Sequence, residues 1–128
     1  MYIFINKATE PSAAKDTASL QRLLKIKTNA VVRLGKELKY YMKEQQDYES
    51  KLMQLREEQA DALQIKKTEE FVEESSNAVR DTHSRLFKSF ADLQGFVQIH
   101  QIEEGIAGTE ELIKAEMTIG ETSNLICS

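Results

Sequence analysis

Apolar residues return at alternating steps of three and four through the first half of this chain, at Leu20, Leu24, Val31, Leu34, Leu38, Tyr41, Tyr48, Leu52 and Leu55. Only Lys27 and Gln45 interrupt the series with polar side chains. A three-four alternation held this far belongs to an α-helix that keeps one stripe against partner helices at the shallow crossing angle of bundles and coiled coils. The spacing predicts a first helix over 16–58, capped by Asp16 or Thr17, whose short side-chain oxygens accept from free N–H groups of the first turn. Gly35 lies away from the stripe and costs about 1 kcal/mol relative to alanine. Gln45 is of the kind that sets register in such a seam.

The pattern breaks at Gln59-Ala60-Asp61-Ala62, which places a turn near Glu58 to Ala62. It resumes as Ile65, Val72, Val79, Leu86, Phe90, Leu93 and Val97, with polar insertions at Glu69, Ser76 and His83. A second helix over 63–102 follows, packed best in its C-terminal half, where Phe87 and Phe96 widen the stripe, and looser before it. Gly105 and Gly108 bracket the next turn. Thr109 is a cap for a third helix over 109–122, and Glu110 and Glu111 occupy the first turn, where the helix dipole favours acids. Its stripe is Leu112, Ile113, Met117 and Ile119, and Gly120 to Asn124 ends it. The expected fold is all-α: an up-down-up three-helix bundle, spectrin-like, with two long helices and a shorter third, spanning 16–124. Residues 1–15, without periodicity, read as a mobile N-terminal tail, and 125–128 as a C-terminal tail.

Composition agrees with one helical domain. The 128 residues are 41% hydrophobic and 30% charged, with one proline, five glycines and no tryptophan, so the turn chemistry of a many-stranded sheet is missing. The net charge of −4 conceals an asymmetry. Arg22, Lys25, Lys27, Arg33, Lys36, Lys39 and Lys43 crowd the start of the first helix with Glu37 their one acidic neighbour, while the later chain is acidic. A basic end on an acidic body can orient a molecule on a charged partner, although solvated helix faces carry such charge too. Nucleic acid fits poorly, because the domain is acidic and no binding motif accompanies the basic stretch.

Cys127, the single cysteine, excludes an internal disulfide and is placed wrongly for a prenylation box. The opening Met1-Tyr2-Ile3-Phe4-Ile5 is too short for a signal-peptide core, and no stretch is long enough to span a membrane, so the cytoplasm is expected. Neither His83 nor His100 has a ligand at the fourth following residue, although Glu104 can pair with His100. Phosphate loops, nucleophile elbows and zinc spacings are missing. No catalytic, cofactor or metal site is expected, and the chain reads as a non-enzymatic bundle that binds another protein. Periodicity alone leaves open a structural coiled-coil adaptor or a self-associating scaffold.

Lys25-Ile26-Lys27-Thr28, Val31, Arg33-Leu34 and Lys36-Glu37 resemble the signature opening the first helix of the tubulin-binding cofactor A family of tubulin-specific chaperones. Ile65-Lys66-Lys67, Glu74-Ser75, Asp81, Arg85-Leu86 and Asp92-Leu93-Gln94 resemble its second helix. Three departures stand out. Asn77 to Asp81 lacks the family's mid-helix proline, Leu63-Gln64 replaces a tyrosine-aspartate pair, and Asn29 replaces a glycine. The resemblance implies a cytoplasmic, cytoskeleton-associated binder that captures β-tubulin folding intermediates after chaperonin release without using nucleotide. It is compatible with a supercomplex of tubulin folding cofactors, and with a monomer or homodimer. The tubulin-contacting residues it implies are Lys25, Lys27, Arg33, Lys36 and Glu37 on the first helix and Lys66, Lys67, Glu74 and Arg85 on the second. Helix geometry turns Lys25, Arg33, Lys36 and Lys43 to solvent and puts Lys27 on the seam, snorkelling to its edge.

Because a seam of side chains holds this fold, far-UV circular dichroism should show a strongly helical spectrum that neither chelator nor reductant changes.

Overall fold

In a computed structural model the backbone is described from Tyr2 to Cys127 and side chains from Thr17 to Cys127, so the side chains of the expected tail over 1–15 and of the Asp16 cap lie outside those described, while the backbone from Tyr2 onward is helical. Three helices follow in order: α1 (Tyr2–Glu57), α2 (Ala62–His100) and α3 (Glu110–Cys127). Thr17 lies inside α1 and does not cap it. The fold is an all-α helical bundle, and its contacts divide into two compact units. One joins Met1–Val32 to Ser89–Ser128 and holds segments of all three helices; the other, Arg33–Lys88, is a hairpin of α1 and α2.

The seam on α1 is where the three-four spacing puts it. Leu24, Val31, Leu34, Leu38, Leu52 and Leu55 are buried, and Leu20, Lys27, Tyr41, Gln45 and Tyr48 are half-buried. Each fully buried leucine contributes about 2 kcal/mol. On α2, Leu86, Leu93 and Val97 are buried, whereas Phe87 is 53% exposed and does not widen the core. The first half of α2 is looser in its apolar residues, as expected, but its small hydroxyl residues are core. Thr68, Ser75 and Thr82 are buried at seven-residue intervals and alternate with half-buried Ile65, Val72 and Val79. Small hydroxyl residues can fill a seam because Thr68 Oγ1 donates to the Gln64 carbonyl at 3.0 Å and Ser75 Oγ to that of Val72 at 3.0 Å. α2 runs unbroken through Asn77 to Asp81, where the family's proline is absent.

The hairpin turn needs a left-handed residue, and Gln59, with φ of 55°, supplies it without glycine. Tyr48 stacks on Phe71 with centroids 5.3 Å apart and Arg56 pairs with Glu69 at 2.8 Å, so advancing along α1 means retreating along α2. In the other unit α3 runs alongside α1 in the same direction: Glu110 to Lys114 lie by Ala18 to Asn29, and Val32 lies by residues up to Glu121. That is the up-down-up order.

Which flank of the α1–α2 seam is covered follows from two rows of positions. Along α1 at seven-residue spacing, Gln21 is half-buried and Thr28 is 2% exposed, while Met42, Glu49 and Arg56 are exposed. Along α2 the corresponding row runs from exposed Glu69 through half-buried Ser76, His83 and Phe90 to buried Val97. The rows are buried or half-buried in the unit that contains α3 and exposed and charged at the hairpin turn.

The entry to α3 is as expected at its start and longer at its end. Leu112 N–H donates to Thr109 Oγ1 at 3.2 Å, and Thr109 Oγ1 donates to the Ile106 carbonyl at 2.7 Å, which makes Thr109 the cap. The helix passes through Gly120, beyond the expected stop, to Cys127. Thr122 is buried and Leu125 and Ile126 are half-buried, so burial sustains it past a residue of low helix propensity. The buried face is Leu112, Ala115, Thr118 and Thr122. Ile113 and Met117, expected in the stripe, are 54% and 61% exposed.

Gly105 has φ of +87°, its carbonyl accepts from Gln21 Nε2 at 2.7 Å, and a Cβ there would overlap Thr17 Cγ2. Gly108 has φ of +75° with open space around it. Urea unfolding should show Gly105→Ala losing about 3 kcal/mol, from overlap plus backbone conformation, and Gly108→Ala only about 1 kcal/mol, from conformation alone.

Candidate partner-binding surface

Basic residues that start α1 have two fates. Lys27 sits on the seam, and its ammonium donates to Asp92 Oδ2 at 2.6 Å while lying 5.6 Å from the centre of the Phe96 ring. Phe96 in turn rests against His100 with centroids 4.5 Å apart, and His100 Nδ1 is 2.9 Å from a Glu103 carboxylate oxygen. Glu103, and not Glu104, is thus the partner of His100, because the turn after α2, closed by Glu103 N–H donating to the His100 carbonyl at 3.0 Å, brings residue 103 back to the ring. Lys27 joins α1 to α2 and keeps 24% of its side chain exposed.

Lys25, Arg33, Lys36, Lys39 and Lys43 are exposed, as helix geometry requires of positions off the seam. Arg33 pairs with Glu37 at 3.2 Å and Lys43 with Asp47 at 2.8 Å, both across one turn of α1. Such exposed pairs contribute little to stability and stay available to a partner. Tyr40 projects between them, 63% exposed; hydrogen bonding to the Glu44 carboxylate, aided by that group's charge, raises the phenol pKa above its ordinary value. Tyr40 meets Tyr41 edge-on at 5.4 Å. On α2, Lys66, Lys67, Glu74 and Arg85 are exposed, and Arg85 pairs with Asp81 at 3.0 Å. Of the sequence-predicted contact residues, Arg33, Lys36, Glu37, Lys66, Lys67, Glu74 and Arg85 belong to the hairpin unit, and Lys25 and Lys27 to the unit that contains α3.

Two features were not legible in the residues. A cleft of about 500 Å³ lies between α1 and α3, lined by Ala18, Gln21, Arg22, Lys25, Thr28, Asn29, Glu110, Glu111 and Lys114. Beside it is a shallower one of about 340 Å³ that takes in Val32, Ile113 and Met117. Exposed Ile113 and Met117, one turn apart, were the available signal, but periodicity assigned them to the core. Among the described residues no three His, Cys, Asp or Glu side chains come together as a metal site, and no helix is long and apolar enough to cross a membrane.

A sequence profile described as "Tubulin binding cofactor A" matches residues 19–119. The chain belongs to the tubulin binding cofactor A family. Tubulin-specific chaperone A of Homo sapiens is 35% identical over 98 residues, which cover 77% of this chain and 88% of that protein. The Saccharomyces cerevisiae protein of the same name is 29% identical over 106 residues, 82% of this chain and 94% of its own length. The crystal structure of tubulin folding cofactor A from Arabidopsis thaliana superposes with a TM-score of 0.75 at 30% identity, covering 84% of this chain and 98% of that one. The human tubulin chaperone cofactor A structure gives 0.72 at 32% identity, covering 81% and 98%. The matched span contains the whole basic stretch of α1, the Lys27–Asp92 pair and the start of α3 of this cofactor A family member.

Lys27→Glu should lower stability by about 2 kcal/mol in chemical unfolding, since it sets a carboxylate against Asp92 and removes the cation from Phe96. Lys25→Glu, exposed two residues earlier, should stay within about 0.5 kcal/mol of the parent.

Proposed function

We propose that the chain is a tubulin folding cofactor that acts in the cytoplasm, captures β-tubulin folding intermediates after chaperonin release and holds them without nucleotide. What supports this is family membership over residues 19–119 together with exposure of the basic side chains in that span. Lys25, Arg33 and Lys36 would steer and orient an acidic client, with Glu37 holding Arg33 in place by their 3.2 Å pair. Lys66, Lys67, Glu74 and Arg85 offer a second set of contacts on α2, whereas Lys27 contributes through the fold. A helical surface that is already ordered loses little conformational freedom on binding, which suits a holder of a partly folded protein. The adaptor reading predicts a different outcome, namely indifference to tubulin and binding to itself or another helical protein.

Co-migration with tubulin under conditions that release β-tubulin tests the reading. The parent should carry β-tubulin in preference to the heterodimer. Arg33→Glu with Lys36→Glu should weaken capture about fivefold at low ionic strength, as expected for two exposed charge contacts of about 0.5 kcal/mol each. The deficit should shrink as salt is added, with thermal melting unchanged.

A further inference from the structure

The two clefts on either side of Lys114 share Glu110 and Lys114 and form one groove running along α1 from Ala18 to Val32. Its length is about 20 Å at 1.5 Å per residue. Its floor at one end is apolar: half-buried Val32 beside Ile113 and Met117, which are 54% and 61% exposed. The wall on α1 carries Arg22 and Lys25, and the wall on α3 carries Glu110, Glu111 and Glu121. None of these charges, nor Lys114, makes an ion pair among the described residues. Two large apolar side chains left open at the Val32 end, with basic side chains of α1 facing acidic ones of α3 at the Ala18 end, are poorly explained as a solvated face. Ile113 and Met117 gain nothing there, and the unpaired charges have opposite neighbours they do not reach.

We propose that the groove between α1 and α3 docks one amphipathic helix of the tubulin client, with apolar side chains over Ile113 and Met117 and an acidic flank against Arg22 and Lys25. This rests on the β-tubulin reading and adds which element of the client is held, and where. A groove between two helices running side by side accepts a third helix, whose ridge fills it along its length. About four turns of helix match the run from Ala18 to Val32. The charge pattern fixes the direction of approach: acids on the occupant meet the α1 wall, and bases meet Glu110 and Glu121 on the other. A second copy of this chain presenting the same face would set one concavity against another and leave the clefts unfilled, so self-association does not satisfy the geometry.

Two double variants and a cross-link test this. Ile113→Gln with Met117→Gln should weaken β-tubulin capture about tenfold or more at both low and high salt, since it removes the apolar anchor. Arg22→Glu with Lys25→Glu should weaken it mainly at low salt. All four positions are exposed or on the groove wall, so melting should match the parent. A photo-crosslinker on Met117→Cys, in a Cys127→Ser background, should join β-tubulin, and one on Met53→Cys should not. If the parent captures β-tubulin while both double variants capture it equally well, the groove is not the docking site, although the chain remains a β-tubulin binder. If the Met117→Cys probe joins a second copy and sedimentation shows a dimer that Ile113→Gln with Met117→Gln dissociates, the occupant is the chain itself and the proposal falls. A parent that does not carry β-tubulin overturns the functional reading and this inference with it.

Discussion

A seam between two helices buries one stripe of each and leaves two flanks open, and a third helix can lie only on a flank that tolerates burial. In this chain that condition is met where α1 offers Gln21 and Thr28 and α2 offers Val97, and it lapses where α1 offers Met42, Glu49 and Arg56. Thr28 is the key residue of that flank. Its Oγ1 donates to the Leu24 carbonyl at 2.7 Å, so a hydroxyl can be buried without an unmet donor, and its side chain stays short where α3 approaches. Gln21 ties the same flank to the loop before α3 through the Gly105 carbonyl.

Polar groups in the interior follow one economy throughout. Thr68 and Ser75 bond back to carbonyls of their own helix, and among the described residues no buried side-chain nitrogen or oxygen lacks a partner. The hydrogen bonds are local, so they do not select a partner helix. Selection falls to shape and to pairs between helices, exposed Arg56 with Glu69 near the hairpin turn and half-buried Lys27 with Asp92, the latter reinforced by the Phe96 ring. An ammonium on the seam needs an acid and an aromatic face at one place on the opposing helix, and that requirement pins register more tightly than a leucine would.

This places the basic stretch of α1 in a different light from that of its raw charge. One of its cations is structural, two more are drawn into one-turn pairs, and Arg22 and Lys25 stand on the wall of the groove beside α3. Exposed charges of this kind contribute to the encounter with a partner more than to the stability of the bundle. The stretch lies inside the span that matches the tubulin binding cofactor A family, and the structure separates the cation paired across two helices from those that stay exposed.

The helical class, the α1 seam from Leu20 to Leu55, the turns at Glu58 to Ala62 and Gly105 to Gly108, and the Thr109 cap were all determined by the sequence itself. Each rests on a local signal: the period of a helix, a break in that period, or a side chain that can satisfy its own first turn. Only the tertiary structure decided that Thr68, Ser75 and Thr82 belong to the core and that Phe87, Ile113 and Met117 do not, because burial depends on what lies opposite and not on the hydrophobicity of the residue. The length of α3 past Gly120, the partner of His100 and the groove formed with α1 depend in the same way on packing. A groove exists only once two separated segments are side by side, and nothing in the order of residues 18–32 or 110–121 states that they meet.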